Sequence, residues 1–353
     1  MEKKFVLVIH GGAGTILKSQ MTPENEKEHH KGLEESLSAG YTVLKNGGTA
    51  MDAVVAAVKS MEDNILFNAG RGSAYSHYGR IEMDASLMDG KTLKAGAVTG
   101  LLKTKNPIEV CKKVIENTEY VFISGDAAEK FAESHGLEMK DPAYFHSERR
   151  WKQLEKVRGQ TEMFRDHNVV VKDDSQVQSK DEKTSPLDVK EKENEKEKEK
   201  PADEVDPYGG KDQKYSTVGA VALDVHGNLA AATSTGGLTN KKYGRIGDSP
   251  LIGAGNYANN KTCAVSCTGN GEYFIRSVAA YDVSALMEYK GLEVEKAAEY
   301  VIHEKVLPLG SDGGLIAVDA KGNIAMPLSS EGMYRGFVRE DGKMKTYIYK
   351  DEQ

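Results

Sequence analysis

A long, highly charged stretch, residues 172–214, runs straight into an apolar segment that opens at Thr217. Within it, 190–200 is almost entirely Lys and Glu. Its i,i+4 pairs join like charges (Glu191/Glu195, Lys192/Lys196) and it has no apolar face with which to dock. Residues 172–216 therefore read as a mobile linker. The adjoining segment, Thr217-Val-Gly-Ala-Val-Ala-Leu-Asp224, reads as a core strand. A linker that ends in a hydroxyl residue at the mouth of a buried strand makes sense if the chain is cut there. Cleavage between Ser216 and Thr217 would leave Thr217 with a free α-amine beside its hydroxyl, placing nucleophile and general base on one residue.

The linker accounts for much of the compositional skew. Hydrophobic residues make up 39% of the 353 and charged residues 29%, while the rest of the chain is rich in Ala, Val and Gly. A net charge of −7 speaks against nucleic acid as the main partner. Three cysteines are too few for a disulfide scaffold. Cys263 and Cys267 share one face of a strand, as buried thiols would. The five-residue apolar run Phe5 to Ile9 is too short for a signal peptide, and no segment is long enough to span a membrane, so the expected location is the cytoplasm.

Local signals divide the remainder into strands and helices. Phe5 to Ile9 reads as a strand ending in the Gly-rich turn His10-Gly-Gly-Ala-Gly14. Thr22 and Pro23 open a helix that Gly47-Gly48 stops, and Met51 to Met61 forms a second. Ile81 to Met88 and Leu93 to Leu102 form a hairpin about Asp89-Gly90. Helices are expected over Ile108 to Asn117, Gly125 to Ser134, Gly271 to Tyr289 and Leu292 to Val306. Two near-identical turns, Asp224-Val-His-Gly-Asn228 and Asp319-Ala-Lys-Gly-Asn323, each join a pair of strands. Runs of strands followed by helices in both halves favour an α+β layered fold over an alternating doubly wound sheet.

Four constellations can carry chemistry. Thr217 is one, although a strand-opening Thr is commonplace. Ala231-Ala-Thr-Ser-Thr-Gly-Gly237 ends a strand in three hydroxyls, which an ordinary polar strand end would also do. Gly244-Arg-Ile-Gly-Asp248 offers an Arg fork for a carboxylate and an Asp for an ammonium, or else a surface ion pair. Ser266-Cys-Thr-Gly-Asn-Gly-Glu272 could form an oxyanion hole or simply cap a helix. The Gly-rich turn lacks P-loop and dinucleotide spacing, and the nine histidines lack a metal-ligand pattern.

Taken in order, these motifs closely resemble the plant-type L-asparaginases, or isoaspartyl peptidases, of the N-terminal nucleophile hydrolases. The resemblance also rests on Phe67-Asn-Ala-Gly70, Met83-Asp-Ala85, Met88-Asp-Gly90, Leu93-Lys-Ala-Gly-Ala-Val98, Gly253-Ala-Gly255 and Glu331-Gly-Met333. It spans nearly the whole chain except the linker and the region adjoining it from about Ala143.

The resemblance implies a four-layer αββα sandwich. It also implies autocleavage into an α subunit (1–171 with the linker 172–216) and a β subunit (217–353), paired as a dimer of αβ heterodimers. Thr217 would be the nucleophile, Thr235 its activating partner, and Thr268 with the Gly269 N–H the oxyanion site. Arg245 would hold the substrate α-carboxylate, Asp248 the α-ammonium, and Gly271 would add a backbone contact. Asn68 would orient groups near the nucleophile. Met61, Glu62, Asn64, Phe67, Ala69 and Arg71 would form a structural sodium loop through backbone carbonyls, with no cofactor needed for catalysis.

The implied substrates are small molecules, L-asparagine and β-aspartyl dipeptides, cleaved to L-aspartate. Two alternatives share the fold: a glycosylasparaginase-type amidase, and an uncleaved, inactive amino-acid-binding relative. Ser216 stands where family members commonly carry Gly, which tolerates the strained scissile conformation more easily.

Overall fold

In the computed structural model of the chain, residues 4–158, 163–164, 170–171 and 217–352 are described. The linker and Ser216 lie outside them. Strand β1 (Val6–Gly14) leads to α1 (Pro23–Lys45) and α2 (Ala50–Glu62). Both helices start on a threonine, with the Thr22 and Thr49 hydroxyls accepting from the N–H groups of Asn25 (3.3 Å) and Asp52 (3.1 Å). The hairpin β2 (Met83–Asp89) and β3 (Ala95–Leu101) follows, then α3 (Pro107–Asn117), β4 (Phe122–Ser124), α4 (Gly125–Ser134) and α5 (Glu148–Val157). A short pair, β5 (Met163–Phe164) and β6 (Val170–Val171), completes the first half.

The second half holds β7 (Val218–Leu223), β8 (Leu229–Thr235), β9 (Asn256–Ala258), β10 (Cys263–Gly269), α6 (Gly271–Ser277), α7 (Ala279–Lys290) and α8 (Val294–Tyr300). It ends with β11 (Gly313–Asp319), β12 (Ile324–Ala325), β13 (Gly332–Arg339) and β14 (Lys345–Tyr349). The fold is mixed α and β. An eight-stranded sheet has the order β14-β13-β1-β7-β8-β2-β3-β4, antiparallel except for β3/β4, and a four-stranded sheet has the order β12-β11-β10-β9.

The period-two alternation of the strands divides the core. Leu7, Ile9, Ala220, Ala222, Ala230 and Ala232 of the large sheet pack with Leu33, Leu37, Val54, Ala57 and Val58 of α1 and α2. Their neighbours Val6, Val8, Val221 and Ala231 pack instead with Ala264, Ile316 and Val318 of the small sheet. Cys263, Val265, Cys267 and Ala317, on the other face of the small sheet, pack with Val283, Ala297 and Ile302. All three cysteines are buried free thiols.

Three expectations change. His10-Gly-Gly-Ala-Gly14 is not a turn. It continues β1 through an irregularity between His10 and Gly12, because β13 pairs with it as far as Gly14. The helix expected over Gly271 to Tyr289 is two helices, broken at Val278, whose φ of +51° a β-branched residue adopts only under strain. Helix α5 has no counterpart in the sequence reading. Trp151 and Leu154 pack on the core from one face, and that face also buries Arg150, whose Nε donates to the Gly72 carbonyl at 2.9 Å.

Candidate active site

Register places the first two hydroxyls. β7 pairs antiparallel with β8, Val218 against Ser234, which sets Thr217 across from Thr235. Thr217 Oγ1 lies 3.1 Å from Thr235 Oγ1 and 3.2 Å from Ser249 Oγ. The loop after β8 is pinned from below: Thr235 Oγ1 accepts from the Gly237 N–H (3.0 Å), and Asn68 Nδ2 donates to the Gly237 carbonyl (2.8 Å). Asn68 Oδ1 in turn accepts from the Ala74 N–H at 2.8 Å. Asn68 thus supports the hydroxyl pair without lining the pocket itself.

That pocket is small and is lined by Thr217, Thr235, Gly237, Leu238, Arg245, Gly247, Asp248, Ser249, Gly269 and Gly271. It brings together Thr217, Thr235, Arg245, Asp248, Gly269 and Gly271 of the residues singled out for catalysis and substrate binding, but not Asn68 or Thr268. Thr268 sits one residue back from the lining, and its hydroxyl accepts from the Ala13 N–H at 3.3 Å. Gly271 is where β10 and α6 meet the 245–248 loop: a Cβ there would lie 2.8 Å from the Asp248 nitrogen and 3.0 Å from Arg245 Nη2. Only glycine fits so close an approach.

The two charged groups differ in surroundings. Asp248 is buried, and desolvation raises its carboxyl to about 7, Arg245 opposing and Glu272 reinforcing the shift. Its Oδ2 has no hydrogen-bond partner. Such a carboxylate is costly to hold charged unless a cation joins it. Arg245 does not pair with Asp248. Its Nε and Nη2 donate to the two oxygens of Glu272 at 2.6 and 2.8 Å.

His10 lies under the main chain of Thr217. Burial lowers its imidazole to about 3, against the opposing pull of the Thr217 backbone. Its Nε2 is 2.9 Å from Ser266 Oγ, itself 2.7 Å from Thr233 Oγ1. A neutral His10 built into this network is a packing element beneath β7.

The loop proposed for sodium lies apart from the pocket. Cβ atoms placed at Gly70 and Gly72 would fall 2.3 Å from the Glu62 carbonyl oxygen and 1.9 Å from that of Phe67. The Glu62 and Phe67 carbonyl oxygens therefore pack directly against these two glycines, which leave no space for a side chain. The Glu62 side chain is engaged elsewhere, accepting from Ser234 Oγ (2.7 Å) and the Ile108 N–H (3.1 Å). Among the described residues, no group of three or more His, Cys, Asp or Glu side chains could hold a metal.

Sequence reasoning missed Ser249 and Glu272. Ser249 adjoins Asp248 and Glu272 closes the 266–272 motif, so proximity within a motif was the only signal for either.

The sequence profile of the asparaginase family matches residues 3–348. The chain belongs to the asparaginase family. It is 44% identical to the isoaspartyl peptidase of Salmonella typhimurium, over 99% of both chains. It is 43% identical to the isoaspartyl peptidase of Escherichia coli, over 99% of this chain and 97% of that one. A plant-type L-asparaginase of Thermococcus kodakarensis is 37% identical over 95% of this chain and 96% of its own. Among the described residues, no helix is long and apolar enough to cross a membrane.

Proposed function

We propose that this chain is an autocleaving amidohydrolase that converts L-asparagine and β-aspartyl dipeptides to L-aspartate in the cytoplasm. One observation carries the reading: a hydroxyl, a guanidinium and a buried carboxyl line a single small pocket. An aspartyl unit presents three matching groups: a side-chain amide, an α-carboxylate and an α-ammonium.

Cleavage before Thr217 frees its α-amine, whose ordinary pKa of about 8 lets it serve as base near neutrality. Thr217 Oγ1, its proton passing to that amine, attacks the amide carbon. Thr235 and Ser249 hold the hydroxyl in place. The Thr268 hydroxyl and the Gly269 N–H stabilise the oxyanion. Collapse of the tetrahedral species breaks the C–N bond, and the protonated amine returns the proton to the leaving ammonia or amino acid. Water then hydrolyses the β-aspartyl ester and restores Thr217. Arg245 and Asp248 hold the α-carboxylate and α-ammonium, with a backbone contact from Gly271. An ordinary α-linked peptide cannot present both termini together.

The layers are read as an αββα sandwich, supported by the apolar clusters on each side of the two sheets. The subunits would meet at Ser216–Thr217, and two αβ units would form the working dimer. A sodium ion would be held by the carbonyls of Met61, Glu62, Asn64, Phe67, Ala69 and Arg71, stiffening the loop that carries Asn68.

Intact mass spectrometry and aspartate release test the reading together. Wild type should give two fragments meeting at Ser216–Thr217 and should release aspartate. Thr217→Ala should stay full length and inactive. Two fragments from Thr217→Ala, or aspartate release by it, would refute the nucleophile.

A further inference from the structure

The proposed carboxylate clamp is already occupied by the protein itself. Glu272, in the first turn of α6, meets Arg245 in a bidentate pair, Oε1 to Nε at 2.6 Å and Oε2 to Nη2 at 2.8 Å. This is the geometry in which an Arg fork holds a substrate carboxylate. The other end of the guanidinium lies beside Gly247, where an added Cβ would come within 3.1 Å of Nη1. The Arg245 side chain is 13% exposed, whereas that of Glu272 is 46% exposed, so Glu272 is the partner on the solvent side of the pair.

We propose that Glu272 is a specificity-determining residue, an internal carboxylate that fills the Arg245 fork in the empty site and yields it to the α-carboxylate of the substrate. The proposal rests on the aspartyl-substrate reading above. The exchange replaces one carboxylate by another on the same N–H pair, so only ligands carrying an α-carboxylate compete with Glu272. A ligand without one leaves the pair intact. The internal carboxylate thereby weakens binding of every aspartyl ligand by the strength of a partly exposed ion pair, a factor of about 3–5 in affinity. It also keeps the Arg245 charge neutralised while the site is empty.

The test uses the self-cleaved protein with both fragments retained, and Glu272→Gln, which keeps the size of the side chain and removes its charge. Three constants are measured: KM for asparagine, the inhibition constant of aspartate, and that of β-alanine, which is aspartate without its α-carboxylate. The expected result is a drop of about 3–5-fold in the first two, no change for β-alanine, and kcat within about twofold. Glu272→Asp, too short for the bidentate pair, should move the same constants in the same direction and guards against a folding artefact in one variant. Weaker aspartate binding in both variants would overturn the proposal in favour of Glu272 orienting Arg245, and unchanged aspartate binding would overturn it outright. An equal gain for β-alanine would also overturn it. An inactive wild type would instead remove the functional reading on which the proposal depends.

Discussion

Lowering the pH from 8 to 6 should cost this protein its grip on the α-ammonium of asparagine, and the structure sets the size of the loss. Asp248 is buried and its carboxyl is raised to about 7 by desolvation. The ionised fraction in the free protein then falls from about nine-tenths at pH 8 to about one-tenth at pH 6, roughly tenfold. In the proposed mechanism the Thr217 α-amine must also lose its proton to act as base, and at the ordinary α-amine pKa of about 7.8 the free-base fraction would fall about fortyfold over the same range. A simple pH profile would merge the two. Succinamate, asparagine without the α-amine, separates them, because it needs the Thr217 amine but offers Asp248 no cation. The ratio of kcat/KM for asparagine to that for succinamate should fall about tenfold from pH 8 to pH 6, with its midpoint near 7. In Asp248→Asn the ratio should be small and independent of pH.

The same shift bears on stability. The folded carboxyl titrates above its unfolded value, so the folded form holds the extra proton between about pH 4 and 7. Stability of the empty protein therefore declines as pH rises through that window, by about 4 kcal/mol, and a bound ammonium offsets the loss. A ratio that stays flat from pH 6 to 8 in wild type would refute the reasoning, because Asp248 would then be ionised throughout.

The packing around Thr217 sets two further outcomes. Ser249→Ala removes one of the hydroxyls touching Thr217 Oγ1, at 3.2 Å, and should lower kcat about 5–10-fold, the worth of one neutral hydrogen bond, with KM within about twofold in steady-state assays. Gly219→Ala would put a Cβ 2.0 Å from Ser266 Oγ and 2.3 Å from His10 Nε2, so the urea midpoint should report a loss of about 3 kcal/mol. An unchanged midpoint would show that the His10–Ser266–Thr233 network is looser than its hydrogen bonds imply.

Much of this protein was legible in one dimension, because the signals act over a few residues. Thr22 with Pro23 announced α1, and the cap appears as a bond from the Asn25 N–H to the Thr22 hydroxyl. The twin turns 224–228 and 319–323 use one local rule: Asp224 Oδ1 accepts from the N–H groups of His226 and Asn228, and Asp319 Oδ1 from those of Lys321 and Asn323. Motif order was enough to select the candidate residues in and around the pocket, from Asn68 to Gly271, because each short stretch carries its own chemistry.

What tertiary structure alone decided depends on the register of strands and on burial, which no local pattern records. The glycines after His10 read as a turn, yet they remain in β1 because β13 offers them a partner more than 300 residues away along the chain. Two helices replaced one at Val278, where the Gly253 carbonyl accepts from the Tyr281 N–H and the Ala254 carbonyl from the Ala280 N–H, fixing where the second begins. Glu272 looked like an ordinary first-turn acid, and only the approach of α6 to the 245–248 loop turned it into the partner of Arg245. Asp248 could be named from its motif. Its charge state could not, since that depends on how completely the surrounding layers exclude water.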